Sequence, residues 1–100
     1  YGDRRILEIG IVLGSNPKLI LLDEPTSGMG SSESGKMTSF IKKLSSDVDI
    51  VVIEHDMNLV LTISDRIIVL DQGAVIADGN PDEIKKNERV QEAYLGGLKV

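Results

Sequence analysis

The sequence has no cysteine among its 100 residues, which excludes disulfide bonds, thiolate metal sites and cysteine nucleophiles. It also lacks any apolar run near the ~20 residues that a membrane-spanning helix requires. Basic residues are outnumbered by acidic ones: the sequence has 11 Lys and Arg and 16 Asp and Glu, which gives a net charge of −5. Since the basic residues form no cluster, a nucleic-acid-binding surface is not indicated. The remaining composition is ordinary for a globular chain and predicts one modest domain or part of a larger one.

The stretch GSSESGKMT, from Gly30 to Thr38, has the G-x-x-x-x-G-K spacing of a phosphate-binding loop. In such a loop the residue after the lysine places a hydroxyl group on Mg²⁺, but here it is Met37, whose thioether does not suit a hard cation. Apolar residues also recur at the spacing of one helix face: Met37, Phe40, Ile41 and Leu44. A helix that begins near residue 31 or 32 holds Lys36 in its body, so we interpret the loop-like spacing as a coincidence.

Two short apolar runs predict β-strands that are buried on both faces of a sheet. They are Leu19–Leu22 and the β-branched run Asp49–Ile53. Arg66–Leu70 and Ala74–Ala77 predict a hairpin, in which Gly73 supplies the positive φ that the turn needs. Strands that alternate with helices and then end in a hairpin predict an α/β fold, with a mostly parallel sheet, flanking helices and a C-terminal antiparallel hairpin.

Helices are predicted before, between and after these strands. The first covers residues 3–14, with Asp3 as its N-cap, and is apolar enough to be largely buried, with Gly10 at a close packing contact. Asp56 is predicted to cap a short helix, and Asn80 begins another with the pattern of a capping box. In the last helix three residues are expected to face inward before the helix ends at Gly96-Gly97: Val90, Ala93 and Tyr94.

Polar residues follow both predicted parallel strands, where open α/β sheets bind ligands. Asp23 and Glu24 come after the first strand, and Glu54-His55-Asp56 after the second. If the two strands are adjacent and parallel, Asp23, Glu24 and His55 are expected at the same sheet edge. A carboxylate at such an edge can hold Mg²⁺, and a second carboxylate can accept a proton from a water molecule. From the residues alone, two plainer interpretations stay open. The acidic pair can cap the next turn, and a single histidine after a strand can be an ordinary polar loop residue.

The run ILLDEPTSG, followed by VVIEHD and then by DRIIVLDQGAVIADGNPDEI, resembles the ATPase subunits of ABC transporters, and the resemblance covers essentially the whole chain. It implies a partial P-loop NTPase domain that uses ATP and Mg²⁺. It further implies that Asp23 ends the Walker B strand and lies on the Mg²⁺ shell. Glu24 matches the general base of the family, and His55 matches the switch histidine that contacts the γ-phosphate.

Two further motifs of the family match positions near the beginning of the chain. Tyr1-Gly2-Asp3 resembles the tail of the signature motif, which implies that Gly2 and Asp3 meet nucleotide bound on a partner subunit. Ser27 and Gly28 stand in the D-loop, which contacts the opposite subunit. That loop ends in Gly30 here, where the family usually has Asp.

The resemblance places the true phosphate-binding loop upstream of residue 1, so residues 1–100 are expected to be the C-terminal half of the ATPase domain and inactive alone. The segments LEIG, EHDMNLV and ERVQEAYLGG resemble importers of branched-chain amino acids. Implied partners are a second ATPase subunit and transmembrane permease subunits, with no nucleic acid and no direct membrane insertion. The implied location is cytoplasmic, peripheral on the inner face of the cell membrane.

Four alternatives stay open at this point: an importer of urea or amides, a lipopolysaccharide exporter, a soluble ABC ATPase outside transport, and a non-catalytic interaction module.

Overall fold

The computed structural model describes residues 2–94, and these fall into two compact units that divide between Leu59 and Val60. The elements, in chain order, are α1 (Gly2–Leu13), β1 (Leu19–Asp23), α2 (Ser31–Leu44), β2 (Asp49–Ile53), α3 (Met57–Ile63), β3 (Ile67–Asp71), β4 (Ala74–Gly79), α4 (Pro81–Lys86) and α5 (Glu88–Ala93). The predicted α/β class is confirmed. None of the helices within the described residues is long and apolar enough to cross a membrane.

In the first unit β1 and β2 form a parallel pair, in register from Leu19 opposite Asp49 to Asp23 opposite Ile53. Side chains alternate between the two faces of a strand, and here the two faces differ. Ile20 is buried, whereas Leu21 on the other face is 71% exposed and Ile53 is 62% exposed. The prediction that both faces are buried is therefore wrong for this chain, because the described residues cover only one of them.

Helix α1 also shows more apolar surface than its composition predicts. Ile9 is its buried residue, whereas Leu7, Ile11 and Val12 are exposed, since α1 contacts α2 along one side only. A Cβ atom built on Gly10 meets nothing within 4 Å, so the predicted close packing contact there is wrong. The helix begins at Gly2, which puts Asp3 in its first turn rather than at the N-cap.

Helix α2 settles the position of the loop-like GSSESGKMT stretch. It runs from Ser31 to Leu44, so Lys36 lies inside a helix and is exposed. Of the four residues of its predicted apolar face, Met37, Ile41 and Leu44 are buried and Phe40 is half-buried. A phosphate-binding loop needs backbone N–H groups that are free to turn toward phosphate. From Ser34 onward α2 uses its N–H groups in its own hydrogen bonds, beginning with the Ser34 N–H and the Gly30 carbonyl at 2.9 Å.

The second unit contains the predicted hairpin. Strands β3 and β4 pair in antiparallel fashion, with a register irregularity between Val69 and Leu70. The two turn residues, Gln72 and Gly73, have φ of 50° and 80°, as a tight hairpin of two residues requires.

Helices α4 and α5 pack on β4. Asn80 forms the predicted capping box with Glu83: its side chain accepts from the Glu83 N–H at 2.9 Å, and Glu83 accepts from the Asn80 N–H at 3.0 Å. Val90 is fully buried as predicted, but Ala93 and Tyr94 are exposed, so that part of the prediction is wrong. Helix α5 ends at Ala93, and the Tyr94 hydroxyl donates to the Leu70 carbonyl. The tyrosine hydroxyl needs such a polar partner, and an apolar core does not offer one. Gly96-Gly97 lies outside the described residues.

Candidate functional site

The site lies in the first unit, where the carboxyl ends of β1 and β2 meet. Asp23 and Ile53 are the last paired residues, and the Glu24 N–H donates to the Ile53 carbonyl at 2.7 Å. The two loops therefore leave the sheet at the same level, one carrying Glu24 and the other Glu54-His55-Asp56. The structure thus brings Glu24 and His55 together, as the order of the strands predicts.

The backbone of Glu24 has an uncommon conformation. Its φ is 47°, in the left-handed region that costs a residue with a side chain about 1–3 kcal/mol. Two donors hold its carbonyl oxygen, namely the Ser27 N–H at 3.0 Å and Arg5 Nη1 at 2.8 Å. Such strain persists only where surrounding contacts fix it, and these two hydrogen bonds fix it at Glu24.

The shortest polar contact of the site joins Glu24 Oε1 and His55 Nδ1 at 2.6 Å. An ionised carboxylate only accepts hydrogen bonds, so Nδ1 carries the proton and Nε2 is left to meet a ligand. The two side chains are 46% and 72% exposed, which leaves the pair open to substrate and water. A carboxylate in this position can accept a proton from a water molecule.

A second set of contacts lies behind this pair. The Glu54 carboxylate accepts from Thr26 Oγ1 at 2.8 Å and from the Thr26 N–H at 3.2 Å. Neither Thr26 nor Glu54 is among the residues that the sequence motifs predict for the site. The available signal was their position, directly after Glu24-Pro25 and directly before His55, but the contact between two loops is visible only in the fold.

Asp23 behaves differently from its neighbour. It is exposed at the end of β1, on the same face of the strand as Leu19 and Leu21 by alternation. The three residues whose ligand atoms lie within 4.8 Å of one another are instead Glu24, Glu54 and His55. Mg²⁺ in nucleotide sites is held by one or two carboxylates together with phosphates and water. An exposed carboxylate at a sheet edge fits that donor set, and the role of Asp23 stays a prediction.

The predicted nucleotide contacts lie on α1 and on the loop after β1. The Gly2 N–H donates to Glu33 Oε2 at 3.1 Å, which satisfies a free donor at the helix N-terminus. Gly2 and Asp3 line a cavity of about 190 Å³ together with Ile6, Glu33, Lys36 and Met37. Ser27 is exposed, and Gly28 has φ of 78°, as the sharp course of this loop requires.

Comparisons with known proteins identify the fold and its relatives. The family described as branched-chain amino acid ATP-binding cassette transporter matches residues 74–98. The chain is 45% identical over 98 residues to the high-affinity branched-chain amino acid transport ATP-binding protein BraF of Pseudomonas aeruginosa. It is 44% identical over 98 residues to LivG of Salmonella typhimurium.

The chain is thus similar to ATP-binding cassette proteins over nearly its whole length. These alignments cover 96% of the chain but 38% of each relative, so the chain spans less than half the length of the curated relatives that it matches. Among solved cassettes, the ADP conformation of MJ1267, an ATP-binding cassette of an ABC transporter, superposes with a TM-score of 0.80 and 29% identity, over 95% of this chain and 39% of that one. The family resemblance and the α/β fold are thereby confirmed.

Proposed function

We propose that residues 1–100 are the C-terminal part of the ATP-binding and hydrolysing subunit of an ABC importer for branched-chain amino acids. The observation that carries the proposal is the Glu24–His55 pair, held at 2.6 Å where two parallel strands end. The names of the relatives BraF and LivG support the choice of transported substrate.

In the proposed mechanism Glu24 is the general base. One of its oxygens accepts from His55, and the other can take the proton of the water that attacks the γ-phosphate. In this mechanism His55 donates from Nε2 to the γ-phosphate and from Nδ1 to Glu24, which requires both ring nitrogens to carry a proton. Asp23 would hold Mg²⁺, and the ion would neutralise charge on the phosphates.

The exposed apolar surfaces support the proposal that the rest of the cassette covers this chain. Leu21 and Ile53 on the sheet, and Ile11 on α1, are all more than half exposed. Parallel sheets are normally covered on both faces, and exposed apolar surface on a sheet usually marks an interface. The phosphate-binding loop then belongs to the part of the protein that the chain does not span.

The proposed assembly contains two ATPase subunits. Gly2 and Asp3 begin α1, whose N-terminus favours negative charge, and we assign them to nucleotide held by the second subunit. Ser27 and Gly28 form the loop toward that subunit, and Gly30 removes the carboxylate that usually ends it. Transmembrane permease subunits complete the importer and hold the ATPase pair at the cytoplasmic face of the membrane.

The test is Glu24→Gln in the complete protein. The amide is nearly isosteric but cannot accept the proton, so kcat should fall by roughly 10²–10⁴-fold while ATP binding stays within a few-fold. The variant should accumulate as an ATP-bound dimer, visible by size-exclusion chromatography. Glu92→Gln on exposed α5 is the matched control. Near wild-type hydrolysis by Glu24→Gln would refute the assignment of the base.

The substrate is tested separately in proteoliposomes that contain the permease subunits. Uptake of labelled leucine that depends on ATP and on Glu24 is expected. Uptake of urea, or export of a lipid, under the same conditions would replace the proposed substrate while leaving the ATPase intact.

A further inference from the structure

Thr26 stands apart from the other polar residues of the chain. Within residues 2–94 it is the polar side chain that is buried, at 7% exposed. It lies two residues after Glu24, and both its hydroxyl group and its N–H donate to Glu54, 28 residues further along the chain. A buried hydroxyl group that loses its partner is costly, so this contact fixes the loop after β1 in one position.

Glu54 joins that loop to the one after β2. Its Oε2 accepts from Thr26, and its Oε1 accepts from the N–H groups of His55 at 3.1 Å and Asp56 at 3.4 Å. One carboxylate therefore binds donors from the loop that carries Glu24 and from the loop that carries His55. Hydrogen bonds to an ionised acceptor are stronger than neutral ones.

Asp56 connects the same contacts to a helix. Its Oδ2 lies 3.4 Å from Thr26 Oγ1, and its Oδ1 caps α3 by accepting from the N–H groups of Asn58 at 3.1 Å and Leu59 at 3.3 Å. Leu59 is 1% exposed, so the cap is attached to a packed residue. The loop after β2 is thus held at both of its ends.

We infer that Thr26 and Glu54 are positioning residues, which hold Glu24 and His55 at hydrogen-bond distance for the proposed hydrolysis of ATP. The inference rests on the proposed function. Glu24 and His55 are themselves 46% and 72% exposed, so side-chain packing does little to orient them. The orientation must come from their backbones, and these are fixed by the strained turn at Glu24 and by the Glu54 carboxylate.

The first test is the pair Thr26→Val and Thr26→Ser in the complete protein. Valine keeps the shape but removes the donor, so kcat should fall between roughly tenfold and a hundredfold, with KM for ATP within twofold. Serine restores the hydroxyl group and should recover most of kcat. Thr38→Val is the matched control, since Thr38 Oγ1 donates only within α2, to the Ser34 carbonyl at 2.7 Å. Unchanged kcat in Thr26→Val would overturn the inference.

The second test separates positioning from general stability. If Thr26 acts through His55, then Thr26→Val should change kcat by less than twofold in a His55→Ala background, because residues that act as a unit are not additive. A full, multiplicative loss in the double variant means that Thr26 does not act through the Glu24–His55 pair, and overturns the inference. The ¹⁵N signals of His55 give an independent readout, since loss of the Nδ1–H donor state is expected in Thr26→Val.

Glu54→Gln is the second variant, and it tests the positioning role if Thr26→Val does not fold. Both Glu54 oxygens accept from N–H groups, so an amide NH₂ must face a backbone donor on one side or the other. The same fall in kcat with unchanged KM is expected, and wild-type kcat would overturn the inference. A complete protein without ATPase activity overturns the proposed function as well. An active protein that Glu24→Gln inactivates and Thr26→Val and Glu54→Gln leave unchanged overturns only the positioning role.

Discussion

Replacing His55 with alanine should separate catalysis from stability in the complete protein. The His55 side chain is 72% exposed, and its contact is the surface pair with Glu24. Truncation therefore leaves no cavity, and an exposed pair contributes only about 0–1 kcal/mol to the free energy of unfolding. In a domain of about 150–250 residues, 1 kcal/mol shifts Tm by about 2–4 °C.

The expected effect on catalysis is larger. A single donor that stabilises charge developing in the transition state contributes roughly 10²–10³-fold to the rate, which is about 2.7–4 kcal/mol. Loss of one hydrogen bond to bound ATP should weaken affinity by no more than about fivefold to tenfold. Of the free energy of unfolding, the ATP affinity and kcat, we therefore expect kcat to change most.

Three measurements on one preparation give the answer: phosphate release at saturating Mg-ATP, equilibrium binding of a fluorescent ATP analogue, and a thermal melt. His55→Gln is a useful companion, because it keeps a polar group of similar reach without the imidazole ring. A kcat within threefold of the wild-type value would refute the catalytic role of His55. A Tm lowered by more than about 10 °C would show instead that the site depends on His55 for its structure.

Three further predictions concern the helix, the sheet and the hairpin. Lys36 lines the same cavity as Gly2 and Asp3, but it is exposed in the body of α2 and is not among the residues assigned to the nucleotide. Lys36→Ala should therefore leave ATP affinity and kcat within about twofold; a hundredfold loss of affinity would make the GSSESGKMT stretch a nucleotide site after all. The 100-residue chain alone should self-associate through its exposed apolar face, and Leu21→Lys should reduce this in sedimentation experiments; a monomeric wild-type chain would contradict it. Two hydrogen bonds from Arg66, at 2.9 and 2.7 Å, hold the pKa of Asp78 below its ordinary value of 3.8. The Arg66–Asp78 pair therefore stabilises the fold at pH values above 3.8, and this stabilisation is lost as the pH falls through the lowered pKa of Asp78. Urea denaturation of Asp78→Asn should then differ from wild type at pH 7 and converge with it near pH 2; a difference that persists at low pH would show that charge is not the cause.

Local features were predicted well from the sequence. The capping box at Asn80, the turn at Gly73 and the apolar face of α2 are all present, because each depends on residues within one or two turns of the chain. The same holds for the Asp56 cap on α3. A feature that depends only on residues close together in the chain can be predicted from the sequence pattern alone.

Burial was predicted less well, because it depends on what covers a residue. The apolar runs predict burial on both faces of β1 and over much of α1, yet Leu21 and Ile11 are each 71% exposed. Tyr94 shares the spacing of the buried Val90 but lies past the end of a six-residue helix. A sequence pattern shows that a surface is apolar, and only the arrangement of the other elements shows whether that surface is covered.

The candidate site divides in the same way. The sequence by itself determined which groups are available at the two strand ends and, through order and spacing, that Glu24 and His55 meet. Only the tertiary structure decided that Glu24 adopts a left-handed backbone, that Asp23 stays apart from the Glu24–Glu54–His55 cluster, and that Thr26 binds Glu54 across 28 residues. The reason is physical: residue identity and strand order follow from the chain, whereas a hydrogen bond between two loops exists only once the sheet has set their separation and direction.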